Sequence, residues 1–499
     1  MIHENINVAG LSDHEQGTAN ALLSQLALRR DRNLRRSQYY DGKHALRQLS
    51  AVAPGRYDRL GLVLGWAAKA VDAPARRCHL DGFTWPDGSL DDLGLTEFAD
   101  DNMLMSELSG ARTKSFTHGV SFLINTTGGE GEPASLLHAK DALNGTGTWN
   151  VRLRRLDDFL SVTGRDRDAV TEFALYLDGL TINCGKVGGS WRVLGRHEHP
   201  YGVPVEPMIY RPQNRPFGYS RITRPIMGIQ DAAIRALIRM EGHMDRYSWP
   251  EMIILGADGG AFQDENGNPV QWTSLLGRAK GIPDDDEQTD PSLARADVKQ
   301  FPAQNPDAHL AQLNALAKLF AREASLPDTA VAITDMANPT SEGAYDASQY
   351  ELVAEAEGAC DDFDRPTLRA VRRGLMILNG VEEMPGSWRS IGTQWRSPRF
   401  ESRAAVADAG AKIAGSVPGM AETEVGLELM GLSPDQIKRF KAEQRRMAGR
   451  GVLDALRERV GGDAESAASR LGLTGIDFTG ATPVSLRLPE SEARALEDK

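Results

Sequence analysis

Thr223-Arg224-Pro225-Ile226-Met227-Gly228-Ile229-Gln230-Asp231-Ala232-Ala233-Ile234-Arg235-Ala236-Leu237-Ile238-Arg239-Met240 is an amphipathic helix written out in full. Ile226, Ile229, Ala233, Leu237, Met240, Met244 and Tyr247 recur at steps of three or four, which draws one apolar stripe down one side. Pro250 ends the run, because proline disfavours a helical residue before it. A second helix opens at Asn305-Pro306-Asp307, with a cap residue, a proline and an acid in the first turn. Its stripe is Leu310, Leu313, Ala317, Phe320 and Ala324, and Pro327 closes it. The third run is longer. It follows Asn338-Pro339, takes Ser341 as its cap and continues through Tyr345, Leu352, Phe363 and Leu375 to Asn379-Gly380. That is roughly 40 residues, about 60 Å if unbroken, against a usual helix of about 11–12 residues. Pro366 is expected to bend or split it. Such a rod needs neighbours to bury its apolar side.

Working outward, Ser12-x-x-Glu15 is a capping-box signature before a helix that runs to Tyr40 and stops at Asp41-Gly42. Further helices are expected from Tyr57 to Ala73, ended by Pro74, and from Asp91 to Leu108. From Ser115 to Tyr210 the pattern turns strand-like. Val120, Phe122 and Ile124 alternate, and Asp178-Gly179 is a two-residue hairpin turn between Glu172–Leu177 and Leu180–Ile182. Trp191–Leu194 continues that meander. Residues 250–304 read as short strands and loops. Trp388–Trp395 returns a strand to the platform, residues 401–460 are helical, and Ser433 with Gln436 marks one helix start. Residues 463–499 read as a weakly ordered tail. The fold class is α+β, mostly helical.

At 499 residues the chain exceeds one core and should form several sub-domains. No apolar run approaches the 18 residues of a membrane span, so no membrane contact is expected. The N-terminus Met1-Ile2-His3-Glu4-Asn5 is read as no signal peptide. Cys78, Cys184 and Cys360 are three and widely spaced, which suits a reducing compartment and argues against a disulfide framework or a zinc site. The formal net charge of −12 argues against a protein built to grip duplex DNA, which wants a basic face.

Here the chain resembles the portal proteins of tailed bacteriophages, of siphovirus type. The resemblance rests on Tyr39-Tyr40-Asp41-Gly42, Pro204-Val205-Glu206-Pro207, Gly218-Tyr219-Ser220-Arg221-Ile222, Gln230-Asp231-Ala232-Ala233, Trp249-Pro250 with Leu255-Gly256, Pro327, and Asn338-Pro339-Thr340-Ser341-Glu342-Gly343, in that order. It implies a non-enzymatic ring of about twelve subunits at one capsid vertex. Residues 1–220 would be the wing, 221–248 and 305–326 the stem helices and 249–304 the clip. Residues 327–342 would be the tunnel loop, 343–400 the long helix and return to the wing, and 401–462 the crown, with 463–499 a tail. The stem interface between copies would use Ile229, Leu237, Met240, Leu313 and Phe320. Thr334, Asp335, Met336 and Asn338 would lie nearest the DNA, and Asp284, Asp285, Asp286 and Glu287 would meet terminase and head-completion proteins. The remaining partners implied are double-stranded DNA, read without sequence specificity, and the major capsid and scaffolding proteins. The implied location is the virion, with host cytoplasm during assembly. No cofactor is implied.

Rival motifs are weaker. Gly185-Lys186 lacks P-loop spacing and Ser/Thr, and Gly145-Thr146-Gly147 lacks a third glycine. His197-Glu198-His199 offers two imidazoles on one strand face but no second ligand pair, so no metal site follows. Two basic runs, Arg29, Arg30, Arg32, Arg35 and Arg36, and Lys438, Arg439, Lys441, Arg445 and Arg446, read as solvated faces or as contacts to DNA or neighbouring subunits. Glu422–Arg446 has a helix-turn-helix pattern, which keeps a DNA-binding regulator as one alternative. An enzyme with an unrecognised site is the other.

Overall fold

The computed structural model describes residues 5–44, 46, 61–167, 169–247, 305–331, 342–399, 402–433 and 436–448, with strands Met252–Leu255 and Asp297–Gln300 and residues 266, 289 and 290. Strand β1 (Val8–Ala9) leads into helix α1 (Asp13–Tyr40). The capping box is present in full: the Ser12 hydroxyl accepts from the Glu15 N–H and the Glu15 carboxylate accepts from the Ser12 N–H. Helix α2 (Trp66–Arg77) starts later than expected and runs through Pro74, because a proline removes one helical hydrogen bond without ending a helix whose freed carbonyl finds another donor. That carbonyl belongs to Ala70, and it accepts from the Arg221 guanidinium Nε at 3.0 Å.

Strand β2 (Leu80–Thr84) is followed by a pair of helices, α3 (Leu95–Asp101) and α4 (Leu104–His118), where one was expected. The break is made by Asn102. Its buried amide donates to Phe98 O and Ser135 O and accepts from the Leu137 N–H, and Met103 turns into left-handed backbone at φ 46°.

The strands then follow in series: β3 (Val120–Thr127), β4 (Ser135–Asp141), β5 (Gly145–Asn150), β6 (Arg155–Asp166), β7 (Ala169–Leu177), β8 (Leu180–Val187), β9 (Ser190–Glu198) and β10 (Val205–Ile209). They make two sheets. One is six-stranded in the order β1-β9-β8-β7-β6-β5, antiparallel except where β1 joins β9. The other is three-stranded, β10-β3-β4, and antiparallel. The expected hairpin at Asp178-Gly179 is present, with Leu177 opposite Leu180 and Gly179 at φ 73°.

Side-chain alternation sets the layers. On the six-stranded sheet Leu160, Phe173, Leu175 and Ile182 face one way, against Leu22, Leu23 and Leu26 of α1. Phe159, Ala174 and Tyr176 face the other way, against Val120, Phe122 and Ile124 of β3. Leu123, next in line on β3, joins Leu137 and Met208 on the opposite face of the small sheet, in the largest core, which the remaining helices fill.

Helix α5 (Arg224–Tyr247) is followed by the antiparallel pair β11 (Met252–Leu255) and β12 (Asp297–Gln300), then α6 (Asp307–Glu323). His243 near the end of α5 lies 3.3 Å from His309 at the start of α6, so the helices run antiparallel. Helix α7 (Glu342–Leu378) is 37 residues long and passes Pro366 unbroken. Gly374 lets it approach Phe98, whose ring would lie 2.3 Å from any added Cβ. Strand β13 (Gly392–Trp395) returns to pair with β2, as expected.

The chain divides into two compact units at Arg399/Phe400. The second contains α8 (Arg403–Ser416), α9 (Glu424–Leu429) and α10 (436–448). Ser433 and Gln436 cap α10 reciprocally. Among the described residues no helix is long and apolar enough to cross a membrane.

Two tests follow. Phe320 is fully buried against Trp66, with ring centroids 5.2 Å apart, while its neighbour Leu319 is 47% exposed. Phe320→Ala should lower stability by about 3–5 kcal/mol in urea titration, and Leu319→Ala by about 0.5 kcal/mol or less. The second concerns Glu15. The hydrogen bond from Arg196, partly offset by burial, brings its carboxyl down from 4.5 to about 2. An acid held low contributes stability that is complete above its unfolded value and is lost as pH falls through its folded one. The melting temperature should therefore fall between pH 4.5 and about 2, and Arg196→Met should flatten that limb.

Candidate functional site

Among the described residues, segments around Tyr210 and Gly218–Ile222 that carry the portal resemblance meet at one joint. Gly119, at φ 100°, and Gly218, at φ 57°, bring two loops together, and a Cβ on Gly218 would lie 2.1 Å from Tyr210 O. Only glycine fits there. The close approach lets Tyr219 N–H bond Tyr210 O, Arg221 N–H bond Phe116 O and the Ser220 hydroxyl bond Thr117 O, which fixes residues 210–222.

Arg221 leaves this loop pointing inward, with its side chain 5% exposed. Nε donates to Ala70 O of α2. One terminal nitrogen donates to Ala324 O, an orphan carbonyl at the C-terminal end of α6. The other stands 3.4 Å from the Glu355 carboxylate of α7 and from the Tyr210 hydroxyl. Tyr210 also donates to Glu355, and Arg211 pairs with the same carboxylate from the surface side. One guanidinium thus joins three helices.

The other resemblance residues act as lateral ties. Glu206 on β10 is buried and holds Arg373 of α7 at 2.6 Å, with Arg369 at 3.7 Å. The Gln230 side chain on α5 accepts from the Ala67 N–H of α2 at 2.8 Å. Asp231 accepts from the Tyr39 hydroxyl at 2.9 Å, and His44, stacked on Tyr39, lies 3.6 Å away. Tyr40 binds Asp72 of α2 at 2.9 Å. A cleft of about 610 Å3 opens beside the joint, bounded by Tyr210, Arg211, Tyr350, Glu355 and Asp362. Burial, relieved in part by the Arg211 N–H, raises the Asp362 carboxyl.

The expected stem interface is changed by this packing. Leu313 and Phe320 are 2% and 0% exposed within the single chain, in the core with Trp66, Ala233 and Ala317. Both face the core of the single chain. Ile229 and Leu237 are half-buried against the same core, and Met240 is half-buried on α5. Among the described side chains of the pair, the large apolar ones left exposed are Met244 and Leu319, at 43% and 47%. The tunnel-loop residues Thr334, Asp335, Met336 and Asn338 and the clip acids Asp284, Asp285, Asp286 and Glu287 lie outside the described residues.

The first basic run is resolved into a built feature. Arg29, Arg32 and Arg36 of α1 line a recess of about 190 Å3 with Arg215, Asn33, His118 and Phe217. None of the four arginines forms an ion pair with a described carboxylate. Burial lowers all three α1 guanidinium pKa values, Arg36 to about 10, and repulsion within the group lowers them further. Burial pushes the His118 imidazole down to about 4, so it is neutral at pH 7. The second run lies on α10, where Lys441 pairs with Glu424. His197 and His199 share a cleft, and His199 Nε2 bonds the Thr181 hydroxyl at 3.0 Å. Among the described residues no three His, Cys, Asp or Glu side chains gather as a metal site, and the three cysteines are buried and free.

Residues 20–450 match the family model "Phage portal protein, SPP1 Gp6-like". The chain belongs to that family of phage portal proteins. It is accordingly a structural component of a virion and not an enzyme. Among curated relatives it is 25% identical over 442 residues to the portal protein of Mycobacterium phage L5, covering 84% of this chain and 87% of that one. To the portal protein of Mycobacterium phage D29 it is 24% identical over 449 residues, covering 85% and 88%. Among solved structures, the neck of an empty gene transfer agent particle computed with C6 symmetry matches at TM-score 0.41 and 15% identity, over 74% of this chain and 91% of that one. The virion of a native gene transfer agent particle matches at TM-score 0.38 and 14% identity, over 74% and 90%.

The ties are testable singly. Tyr39→Phe removes the hydroxyl that Asp231 accepts from and should cost about 1.5–3 kcal/mol in chemical denaturation, the range for hydrogen bonds to charged groups. Tyr201→Phe, whose hydroxyl makes no such bond, should cost about 0.5 kcal/mol or less.

Proposed function

We propose that this chain is one subunit of a closed ring of about twelve copies at one capsid vertex, through which double-stranded DNA enters and leaves. The single observation that carries the reading is the family match over residues 20–450. The joint supports it. An antiparallel helix pair, α5 and α6, shares one core with strands of the platform, and Val331 and α7 pack into that same core. A channel part needs that rigidity, since a loop that touches moving DNA is useful only from a fixed mount.

In this reading Thr334, Asp335, Met336 and Asn338 form the ring of contacts nearest the duplex. They carry no Lys or Arg, so they touch DNA without holding phosphates. Asp284, Asp285, Asp286 and Glu287 form a charged rim for terminase during filling and for head-completion proteins afterwards, where charge sets docking rate and specificity more than affinity. The wing faces the capsid and scaffolding proteins. Contacts between copies on the stem use Met244 and Leu319 in place of Leu313 and Phe320. A heterologous interface repeated with closure yields the ring.

Light scattering with negative-stain imaging of the purified protein tests this. The expected result is a ring with a central hole and a mass near twelve times 54.4 kDa. A monomer or dimer at every concentration contradicts it. Deleting residues 332–338 should leave the ring mass unchanged and lower the packaged DNA per particle; normal packaging contradicts the loop assignment.

A further inference from the structure

The recess formed by Arg29, Arg32, Arg36 and Arg215 is built to receive an anion, and the chain's own geometry says which. Four guanidinium groups crowd a space of about 190 Å3 with no described carboxylate among them. Two buried polar atoms beside it are unpartnered, Arg36 Nε and His118 Nδ1, and His118 is only 7% exposed. The nearby hydrogen bonds go elsewhere: Arg36 donates to His118 O at 2.8 Å and Ser37 lies 3.4 Å from His118 Nε2. Buried polar atoms favour a partner, and four guanidinium groups around them suit an anionic acceptor. The size of the recess suits one acidic side chain and excludes a duplex.

The matching acids lie at the other end of α4. That helix ends at His118, in the basic recess. It begins at Leu104, directly after Glu97, Asp100, Asp101 and the turn at Met103. These three carboxylates are exposed and none pairs with a described cation. Fifteen residues of helix separate the two ends by about 22 Å, beyond the screening length of about 8–10 Å. The acids of one molecule therefore cannot fill its own recess. Each face also presents bare apolar side chains: Leu28, 83% exposed, beside the arginines, and Met103 and Met105, 74% and 40% exposed, beside the acids.

We propose that the arginine recess is the socket of a head-to-tail contact between copies, filled by the Asp100–Asp101 carboxylates of the next copy. Socket and plug are different patches on one chain, so the contact is heterologous and propagates around a ring. The inference rests on the ring reading and adds to it the residues that join one subunit to the next.

Charge reversal decides it. Arg32→Glu with Arg215→Glu, and separately Asp100→Arg with Asp101→Arg, change exposed positions and should leave the far-ultraviolet circular dichroism unchanged. At about 0.1 M salt each pair should weaken self-association about tenfold or more by light scattering. All four changes in one chain should restore most of it, because the complementarity is exchanged and kept. In about 1 M salt, where screening acts over about 3 Å, wild type and variants should converge. Wild-type rings with both reversed pairs assembling normally, or no recovery in the fourfold variant, overturn the inference and leave the ring reading standing. A wild type that never self-associates overturns both. Weakened assembly of the arginine pair alone, with the aspartate pair normal, overturns the assignment of the occupant to a second copy's acids.

Discussion

The structure of the first unit depends on the side chain of Arg221. A buried guanidinium is tolerable only if its donors and its charge are matched, and here each match comes from a different element. Pro74 contributes by omission: its missing N–H frees Ala70 O, which Nε binds. The end of α6 contributes Ala324 O, which no intrahelical donor can reach. Glu355 of α7 supplies the counter-charge, itself steadied by Tyr210 and Arg211. The planar fork of an arginine holds its donors on three separate nitrogens in fixed directions, whereas a lysine's three donors radiate from a single nitrogen. Apolar packing alone would let the helices slide; this set of bonds fixes their azimuth and level.

The consequence for function is mechanical. Two sheets packed face to face, with α1 across one side, make a platform whose shared core interdigitates at Phe122, Phe159 and Tyr176. The helix pair and α7 stand on that platform through polar ties at Glu206, Gln230 and Asp231. Those ties are directional where hydrophobic contact is not. On the ring reading proposed above, a subunit that holds one segment beside passing DNA would need a fixed angle between its parts, and directional buried bonds are suited to supply it.

Much of this was legible in the chain because it is written locally. Ser12 and Glu15 sit three apart, Asp178-Gly179 stands between alternating runs, and the apolar stripes of α5 and α6 repeat at helical spacing. Local physics alone fixes such features. The departures occur where a distant residue intervenes. Pro74 was read as a stop because its rescue by Arg221 lies far along the sequence. Asn102 breaks a helix because it bonds to the neighbouring strand β4. Leu313 and Phe320 were placed between copies because a stripe records that a face is buried, and not what covers it. The first basic run is legible in the chain, but the fourth arginine of the recess, Arg215, comes from a loop beside the Gly119–Gly218 approach. The resemblance motifs were recognised in order, whereas their shared role as ties appears only in three dimensions.

A double-mutant cycle on Arg221→Met and Glu355→Gln, followed by urea unfolding of all four proteins, tests the central claim most directly. Each single change leaves a buried charge or donor set unmatched and should cost about 3–5 kcal/mol. The double variant should cost less than their sum by about 1.5 kcal/mol or more, because the two side chains act as one unit. Single variants within about 0.5 kcal/mol of wild type, or costs that simply add, would mean that apolar packing alone sets the helices on the platform.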